Sequence, residues 1–198
     1  NVVVSYDPKP ADGRSSVGID LGCKDAAIDS NGEGVQGRDC RVLEHKLGIA
    51  QRAKNQGRVK AIHAKIKHRR QDALHKYSRK RVNDNAAIFV GHVSSLTLVK
   101  TKMAKSVLDA GWGTLKTLLE YKCDHAGVVF QEINESYSTR RCSYCQAIPD
   151  SSPQGRAALG IREWACSECG AEHHRDINAA RNMLALGHER LAGGIPVL

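Results

Sequence analysis

The sequence lacks the patterns that mark a membrane protein or a secreted one. No apolar run approaches the roughly 20 residues that a membrane-spanning helix needs, and the start, NVVVSYDPKP, has no basic stretch followed by an apolar one. It also lacks an initiator methionine and begins in a strand-like stretch, so we expect 1–14 to end an upstream domain or linker. The remainder of the 198 residues suffices for one sizeable core and a small module.

Acidic residues are nearly absent from one long basic segment. Between Lys46 and Arg81 there are 13 lysines and arginines against one acid, Asp72, and the net charge of the whole chain is +9. A solvated helix face usually mixes the two signs, so this block favours a nucleic-acid-binding surface, with a plain solvated face as the alternative. The basic residues predicted to contact nucleic acid are Lys60, Lys65, Lys67, Arg69, Arg70, Lys76, Arg79, Lys100 and Lys102.

The order of the predicted elements indicates an α/β fold. Three strands within 15–40 are followed by helix 43–82, strand 86–90, helix 98–125, strand 128–133 and helix 176–187. Gly48 and Gly57 lie inside the first helical pattern, so two helices are as compatible with it as one. This order predicts a ribonuclease H-like mixed sheet of five strands with helices on both faces.

Boundaries for the parts of the chain follow from the same order. We assign 15–136 to the core, 137–172 to a cysteine-containing insertion, and 173–187 to the last helix of the core. The tail, 188–198, has no periodicity, and we expect it to lack ordered structure.

Four of the seven cysteines form two pairs with metal-binding spacing. Cys142 and Cys145 are separated by two residues, as are Cys166 and Cys169. Two such pairs can surround one ion tetrahedrally, which predicts a zinc ribbon whose closed zinc site is structural. The alternative is that the thiols are reduced and pack as small apolar groups. His173 and His174 follow the second pair and are possible substitute ligands, although four cysteines suffice.

Two aspartates stand where a metal-dependent nuclease would need them. Asp20 ends the first predicted strand, and Asp176 begins the last helix. Singly, each is as well explained as a turn residue or a helix cap. Their joint position in this order of elements, together with the cysteine module just before Asp176, predicts a site for Mg²⁺ or Mn²⁺ that hydrolyses phosphodiesters with two ions.

Several motifs together resemble TnpB (OrfB), the family of transposon-encoded RNA-guided nucleases related to the type V CRISPR effectors. The resemblance runs from about Val17 to Leu184. GIDLG resembles the first RuvC motif of that family, and LDAGWGTLKTLLEYKCDHAG resembles the helix before its third core strand. CSYC, WACSECG and HRDINAARNML resemble its zinc finger joined to the last RuvC motif.

The resemblance implies a RuvC-like DNA endonuclease that acts on target DNA selected by a guide RNA. It implies that Asp20 and Asp176 bind catalytic metal, and that an upstream half with wedge and recognition domains makes most contacts to the guide. It also implies a cytoplasmic, nucleoid-associated prokaryotic protein. Alternatives from other classes are a nuclease-dead, RNA-guided DNA-binding regulator and a guide-independent DNA transposase or endonuclease.

The sequence departs from the family pattern at two positions. His174 stands where the family usually has an additional aspartate, and Gly91 replaces the glutamate that normally ends the middle strand. Strands 86–90 and 128–133 are predicted to be parallel neighbours about 4.8 Å apart. An acid just after strand 128–133 can therefore reach the metals that the replaced glutamate would bind. Gly91 would leave room for it. We therefore predict a triad of Asp20, Glu135 and Asp176, with Glu132 as the alternative third carboxylate.

Overall fold

The computed structural model describes residues 13, 15–37, 40–93, 110–155 and 157–193. The predictions for 1–12, for Lys100 and Lys102, and for 194–198 lie outside these ranges. The strands are β1 (Ser15–Asp20), β2 (Asp25–Asp29), β3 (Gly34–Gln36), β4 (Asn85–Gly91), β5 (Val129–Ile133), β6 (Glu163–Ala165) and β7 (Glu172–His174). The α-helices are α1 (Arg41–Arg52), α2 (Gln56–Asp84), α3 (Trp112–Ala126) and α4 (Arg175–Ala192).

One mixed sheet of five strands has the order β3-β2-β1-β4-β5. The first three strands form an antiparallel meander, whereas β4 runs parallel to both β1 and β5. Ile19 is paired with Val90, and Gly91 is paired with Ile133, so the carboxyl ends of β1, β4 and β5 meet at one rim. This topology confirms the predicted ribonuclease H-like fold, with β6 and β7 forming a separate two-stranded hairpin.

Strand β4, which lies between β1 and β5, is buried on both faces, which explains its continuous apolar run. Ile88 and Val90 belong to a core shared with α2 and α3. Ala87 and Phe89 pack with Met183 of α4 in a second cluster. A strand covered on both sides needs apolar side chains at every position instead of at every second one. Helices therefore lie on both faces of the sheet, as predicted.

Helix α4 lies unusually close to the sheet because two glycines carry no side chain at the contact. A Cβ atom at Gly18 would overlap the carbonyl oxygen of Ala180, and a Cβ atom at Gly187 would overlap the ring of Phe89. The expectation that the last helix ends at Gly187 is wrong, since α4 continues to Ala192 and includes part of the predicted tail. Gly187 is a packing residue and not a helix terminator.

The long basic segment forms two helices that are separated at residues 53–55. Lys54 has a φ of +52° there, and the side chain of Asn55 accepts a hydrogen bond from the backbone N–H of Arg58 at 2.9 Å. That cap begins α2, so neither Gly48 nor Gly57 makes the break. Among the helices in the described ranges, none combines the length and apolar character that crossing a membrane requires.

Candidate active site and metal centre

The four paired cysteines converge into one metal-binding group. All four Sγ atoms lie within 4.8 Å of one another, and the pairs Cys142–Cys169 and Cys145–Cys166 are each 3.7 Å apart. A tetrahedral ion with Zn–S bonds of about 2.3 Å separates its sulfurs by about 3.8 Å. Although burial opposes it, the backbone N–H groups of Cys169 and Glu168 lower the pKa of the Cys166 thiol to about 7, which favours the thiolate that zinc binds. The group fits the predicted zinc ribbon.

His173 supports the cysteine group from the side. Its Nε2 atom lies 3.0 Å from Sγ of Cys142, and its ring lies 4.8 Å from the ring of Trp164. Burial, helped by the charge of Arg181, lowers the pKa of His173 and favours the neutral imidazole. Because four cysteines suffice for a tetrahedral site, His173 lies beside the predicted ligand Cys142 and does not replace a cysteine as a ligand.

Two asparagines of α4 fasten the first cysteine pair to the sheet domain. The side-chain amides of Asn178 and Asn182 both donate hydrogen bonds to the carbonyl oxygens of Ser138 and Arg141. The side-chain oxygen of Asn178 also accepts from the backbone N–H of Ser143 at 2.9 Å. Sequence analysis missed this role, although a spacing of four places both side chains on one helix face.

We expect the two asparagines to depend on each other for their stabilising effect. Asn178→Ala and Asn182→Ala should each lower the free energy of unfolding by about 1–2 kcal/mol, because the remaining amide still donates to both carbonyls. The double variant should lose about 0.5–3 kcal/mol more unfolding free energy than the sum of the two single-variant losses. Urea unfolding of the zinc-loaded protein measures all four states, and additive losses would show that the amides do not share their acceptors.

The three predicted carboxylates are brought together at the rim formed by β1, β4 and β5. Burial raises the pKa of Asp20 well above its ordinary value, and the negative charges of Asp176 and Glu135 raise it further, in that order. Arg175 and Arg162 lower the same pKa to a smaller extent. Asp20 therefore lies in a buried acidic environment in which the charged carboxylate is disfavoured until more positive charge arrives.

Glu135 fills the space that Gly91 leaves open. A Cβ atom at Gly91 would lie 3.4 Å from Oε2 of Glu135, which is ordinary contact distance. The carboxylate of Glu135 thus lies beside the end of β4, where a glutamate in place of Gly91 would begin its side chain. Burial raises the pKa of Glu135, while the charges of His92 and Lys116 oppose that increase.

Glu132, the alternative third acid, has its carboxylate engaged by two other groups. Its Oε2 atom lies 2.9 Å from Nζ of Lys116 and 2.5 Å from Nδ1 of His92. Burial raises the pKa of Glu132, but these two partners outweigh it and the pKa is lowered. Lys116 and His92 therefore stand beside the carboxylate rim, and both are anchored by Glu132.

Asp176 is contacted from the cysteine module. Nη1 of Arg162 donates to both carboxylate oxygens of Asp176 at 2.7 and 2.8 Å, and the Arg162 carbonyl accepts from the N–H of Arg175 at 2.6 Å. In the described ranges, the cysteines form the one group of three or more ligand residues whose atoms all lie within 4.8 Å. The carboxylates of Asp20, Glu135 and Asp176 are thus spaced more widely than the cysteine sulfurs. Such a spacing is compatible with two ions about 4 Å apart, each with oxygens about 2.1 Å away.

The basic face predicted from the sequence lies on α2. Six of its residues are exposed: Lys60, Lys65, Lys67, Arg69, Lys76 and Arg79. Arg70 is half-buried, and Lys76 is paired with Asp72 at 2.7 Å. The last arginine of the segment, Arg81, is buried in ion pairs with Asp29 and Glu33 and so belongs to the fold. That nucleic acid contacts the exposed residues stays a prediction.

Comparison with known proteins gives consistent matches. The family described as "Cas12f1-like, TNB domain" matches residues 112–183. A putative RNA-guided DNA endonuclease of Streptomyces pristinaespiralis is 35% identical over 91% of this chain and 47% of its own length. The putative RNA-guided DNA endonuclease InsQ of Escherichia coli K12 is 27% identical over 78% of this chain and 41% of its own length.

Solved structures match the fold over almost the whole chain. A Cas12f1–sgRNA–target DNA complex, determined by cryo-EM, superposes with a TM-score of 0.64 at 15% identity. The match covers 92% of this chain and 51% of the Cas12f1 chain. The present chain thus spans about half the length of the relatives that it matches.

Proposed function

Because the chain is a TnpB-like protein related to the type V CRISPR effectors, we propose that it is the RuvC-like DNA endonuclease part of an RNA-guided, transposon-associated nuclease. In the complete protein, the partners would be target DNA and a guide RNA bound mainly through an upstream half. The proposal includes a cytoplasmic, nucleoid-associated location. It assigns divalent-metal binding and phosphodiester hydrolysis to Asp20, Glu135 and Asp176.

The observation that carries the proposal is the gathering of Asp20, Glu135 and Asp176 at the rim where β1, β4 and β5 end. Burial raises the pKa of Asp20 most, the two other acids raise it further, and the nearby arginines offset this only in part. A buried group of like charges without full compensation suits cations more than it suits a purely structural role. When bound there, Mg²⁺ or Mn²⁺ would supply the positive charge at the scissile phosphate and the activated water.

The chain's own residues have separate tasks in this scheme. Asp20, Glu135 and Asp176 hold the ions, and the exposed basic residues of α2 bind the phosphate backbone through charge. Lys116 and His92, fixed by Glu132 beside Glu135, are placed to orient a phosphate near the rim. The cysteine group holds structural Zn²⁺, because its four ligands leave no open position for a substrate.

The test uses the complete protein with its guide RNA, a matched target DNA and Mg²⁺. We expect cleavage of the target, loss of cleavage when Mg²⁺ is omitted, and loss of cleavage in Asp20→Asn with guided DNA binding retained. Omitting Mg²⁺ is preferable to chelation because a chelator would also remove zinc. Cleavage by Asp20→Asn at the parent rate would reject the assigned site.

The replacement of the usual acid by Gly91 favours one second candidate, a guided DNA-binding regulator without nuclease activity. In the same experiment, this candidate predicts guide-dependent binding to the target and no cleavage by the parent protein under any metal condition. Cleavage that does not require the guide RNA would instead indicate a guide-independent endonuclease or transposase.

A further inference from the structure

A cleft of about 570 Å³ lies between α2 and α3, away from the carboxylate rim. Its lining includes Arg79, Lys80, Asn83, Tyr121 and Lys122. Asn83 lies just before β4 begins, whereas Gly91 is the last residue of that strand. The seven residues of β4 span about 20 Å, so the cleft faces the opposite rim of the sheet and cannot contact a phosphate bound by Asp20 or Glu135.

Positive charge in this cleft is only partly compensated. The buried ammonium of Lys122 donates to two neutral oxygens, the carbonyl of His75 at 2.9 Å and the hydroxyl of Ser78 at 2.7 Å. Burial lowers the pKa of Lys122, and the nearby charge of Arg79 lowers it further. Lys80 is paired with Glu33 at 2.5 Å, and Asp84 is the one acid that lines the cleft. Arg79 and Lys122 are adjacent cations, and both of these acceptors of Lys122 are neutral, so the cleft favours an incoming anion.

An aromatic side chain stands beside these cations. Tyr121 is 37% exposed, and its ring is held edge-to-face by His125 with the centroids 5.6 Å apart. A partly exposed aromatic ring next to a cationic groove is the combination that single-stranded nucleic acids use, because phosphates bind the cations while a base stacks on the ring. The cleft is also within the size range of sites for small ligands.

We propose that this cleft binds one or two nucleotides of a single-stranded nucleic acid, with a backbone phosphate near Arg79 and Lys122 and a base stacked on Tyr121. The site is separate from the hydrolytic rim and does not depend on cleavage. Its ligand chemistry, a phosphodiester with an unpaired base, occurs both in a guide RNA and in a displaced DNA strand.

The test measures binding of the zinc-loaded chain to labelled single-stranded RNA and DNA of the same sequence, by fluorescence anisotropy without added Mg²⁺. Tyr121→Ser should weaken binding by about 5- to 100-fold, the effect of one stacked base. Arg79→Gln should make the slope of log K against log salt less negative by about 0.7, since one phosphate contact on a single strand is lost. Tyr121→Phe, which retains the ring, should bind as the parent does.

Arg190→Gln is the matched control, because it removes the same charge from an exposed position on α4, outside both the cleft and the basic segment 46–81. It should leave both the affinity and the salt slope unchanged. A larger loss on RNA would assign the cleft to the guide, and a larger loss on DNA would assign it to the displaced strand. The proposal is overturned if Tyr121→Ser binds both ligands within twofold of the parent, or if Arg190→Gln changes the slope as much as Arg79→Gln.

Discussion

Replacing Glu135 with glutamine is expected to reduce target cleavage at least about 100-fold while leaving guided DNA binding intact. The loss of residues that only support metal ligands costs about 10- to 100-fold, and a direct ligand should cost more. Glutamine keeps the size of the side chain but removes the charge beside Gly91. Single-turnover cleavage rates of the complete protein with guide RNA and Mg²⁺ measure the effect.

Glu132→Gln is the control for this substitution, because the two acids are three residues apart and both border the rim. Since Lys116 and His92 engage Glu132 as a supporting residue, we expect a smaller reduction than for Glu135→Gln, of about 10-fold. Parent-like cutting by Glu135→Gln would reject Glu135 as a ligand. Abolition by Glu132→Gln alone would make Glu132 the third carboxylate.

A relocation of the acid back to β4 provides a stricter test of the same assignment. In the double variant Gly91→Glu/Glu135→Gly, the new glutamate side chain starts from position 91. Its Cβ atom would lie 3.4 Å from the place that Oε2 of Glu135 occupies in the parent. We expect the double variant to cut faster than Glu135→Gly alone. No recovery, in a variant that unfolds at the same urea concentration as the parent, would mean that the position of Glu135 is not equivalent to the end of β4.

Removal of Cys169, one of the four proposed zinc ligands, is expected to unfold the cysteine module and to stop cleavage. The apolar cluster of this module consists of Cys142, Trp164 and Cys166, with Ala171 packed against it. A core of that size cannot maintain the hairpin β6–β7, whereas zinc contributes about 10–16 kcal/mol in isolated zinc-finger peptides. Because α4 begins at Arg175, directly after β7, loss of the hairpin would also release Arg162 and Asp176 from their places.

Zinc content and fluorescence separate this prediction from general destabilisation. The zinc content of Cys169→Ser should fall from about one ion per chain to nearly none. The fluorescence emission of Trp164 should change at the same time. Cys23→Ser, outside the module, should keep its zinc. Full zinc content in Cys169→Ser would show that this thiol is not a ligand, and full activity without zinc would show that the module does not position Asp176.

The features that could be predicted from the sequence are those that depend on local pattern and on strand order. The spacing of Cys142, Cys145, Cys166 and Cys169 requires no knowledge of the fold. The proximity of Glu135 to Gly91 follows once β4 and β5 are recognised as parallel neighbours, because adjacent strands bring their ends to one rim.

Other features depend on tertiary contacts that leave no trace in the local pattern. Gly187 resembles a helix terminator, and only the ring of Phe89 beneath it reveals why a side chain is excluded there. The arginine that contacts Asp176 comes from the cysteine module, 14 residues away along the chain. The ion pair between Lys116 and Glu132 joins α3 to β5. The alternation of apolar and polar residues along a strand does not reveal such a partner on a distant helix.

The close contact of α4 with the sheet affects which metal ion the proposed site at Asp20 and Asp176 would select. Asp20 ends β1 and Asp176 lies in the first turn of α4, and α4 approaches the sheet closely at Gly18 and Gly187. Mg²⁺ requires oxygens at about 2.0–2.1 Å, whereas Ca²⁺ accepts about 2.3–2.6 Å. Even an alanine at either glycine is expected to push α4 away from the sheet, to widen the gap between Asp20 and Asp176, and to shift the selectivity of the proposed site toward larger ions.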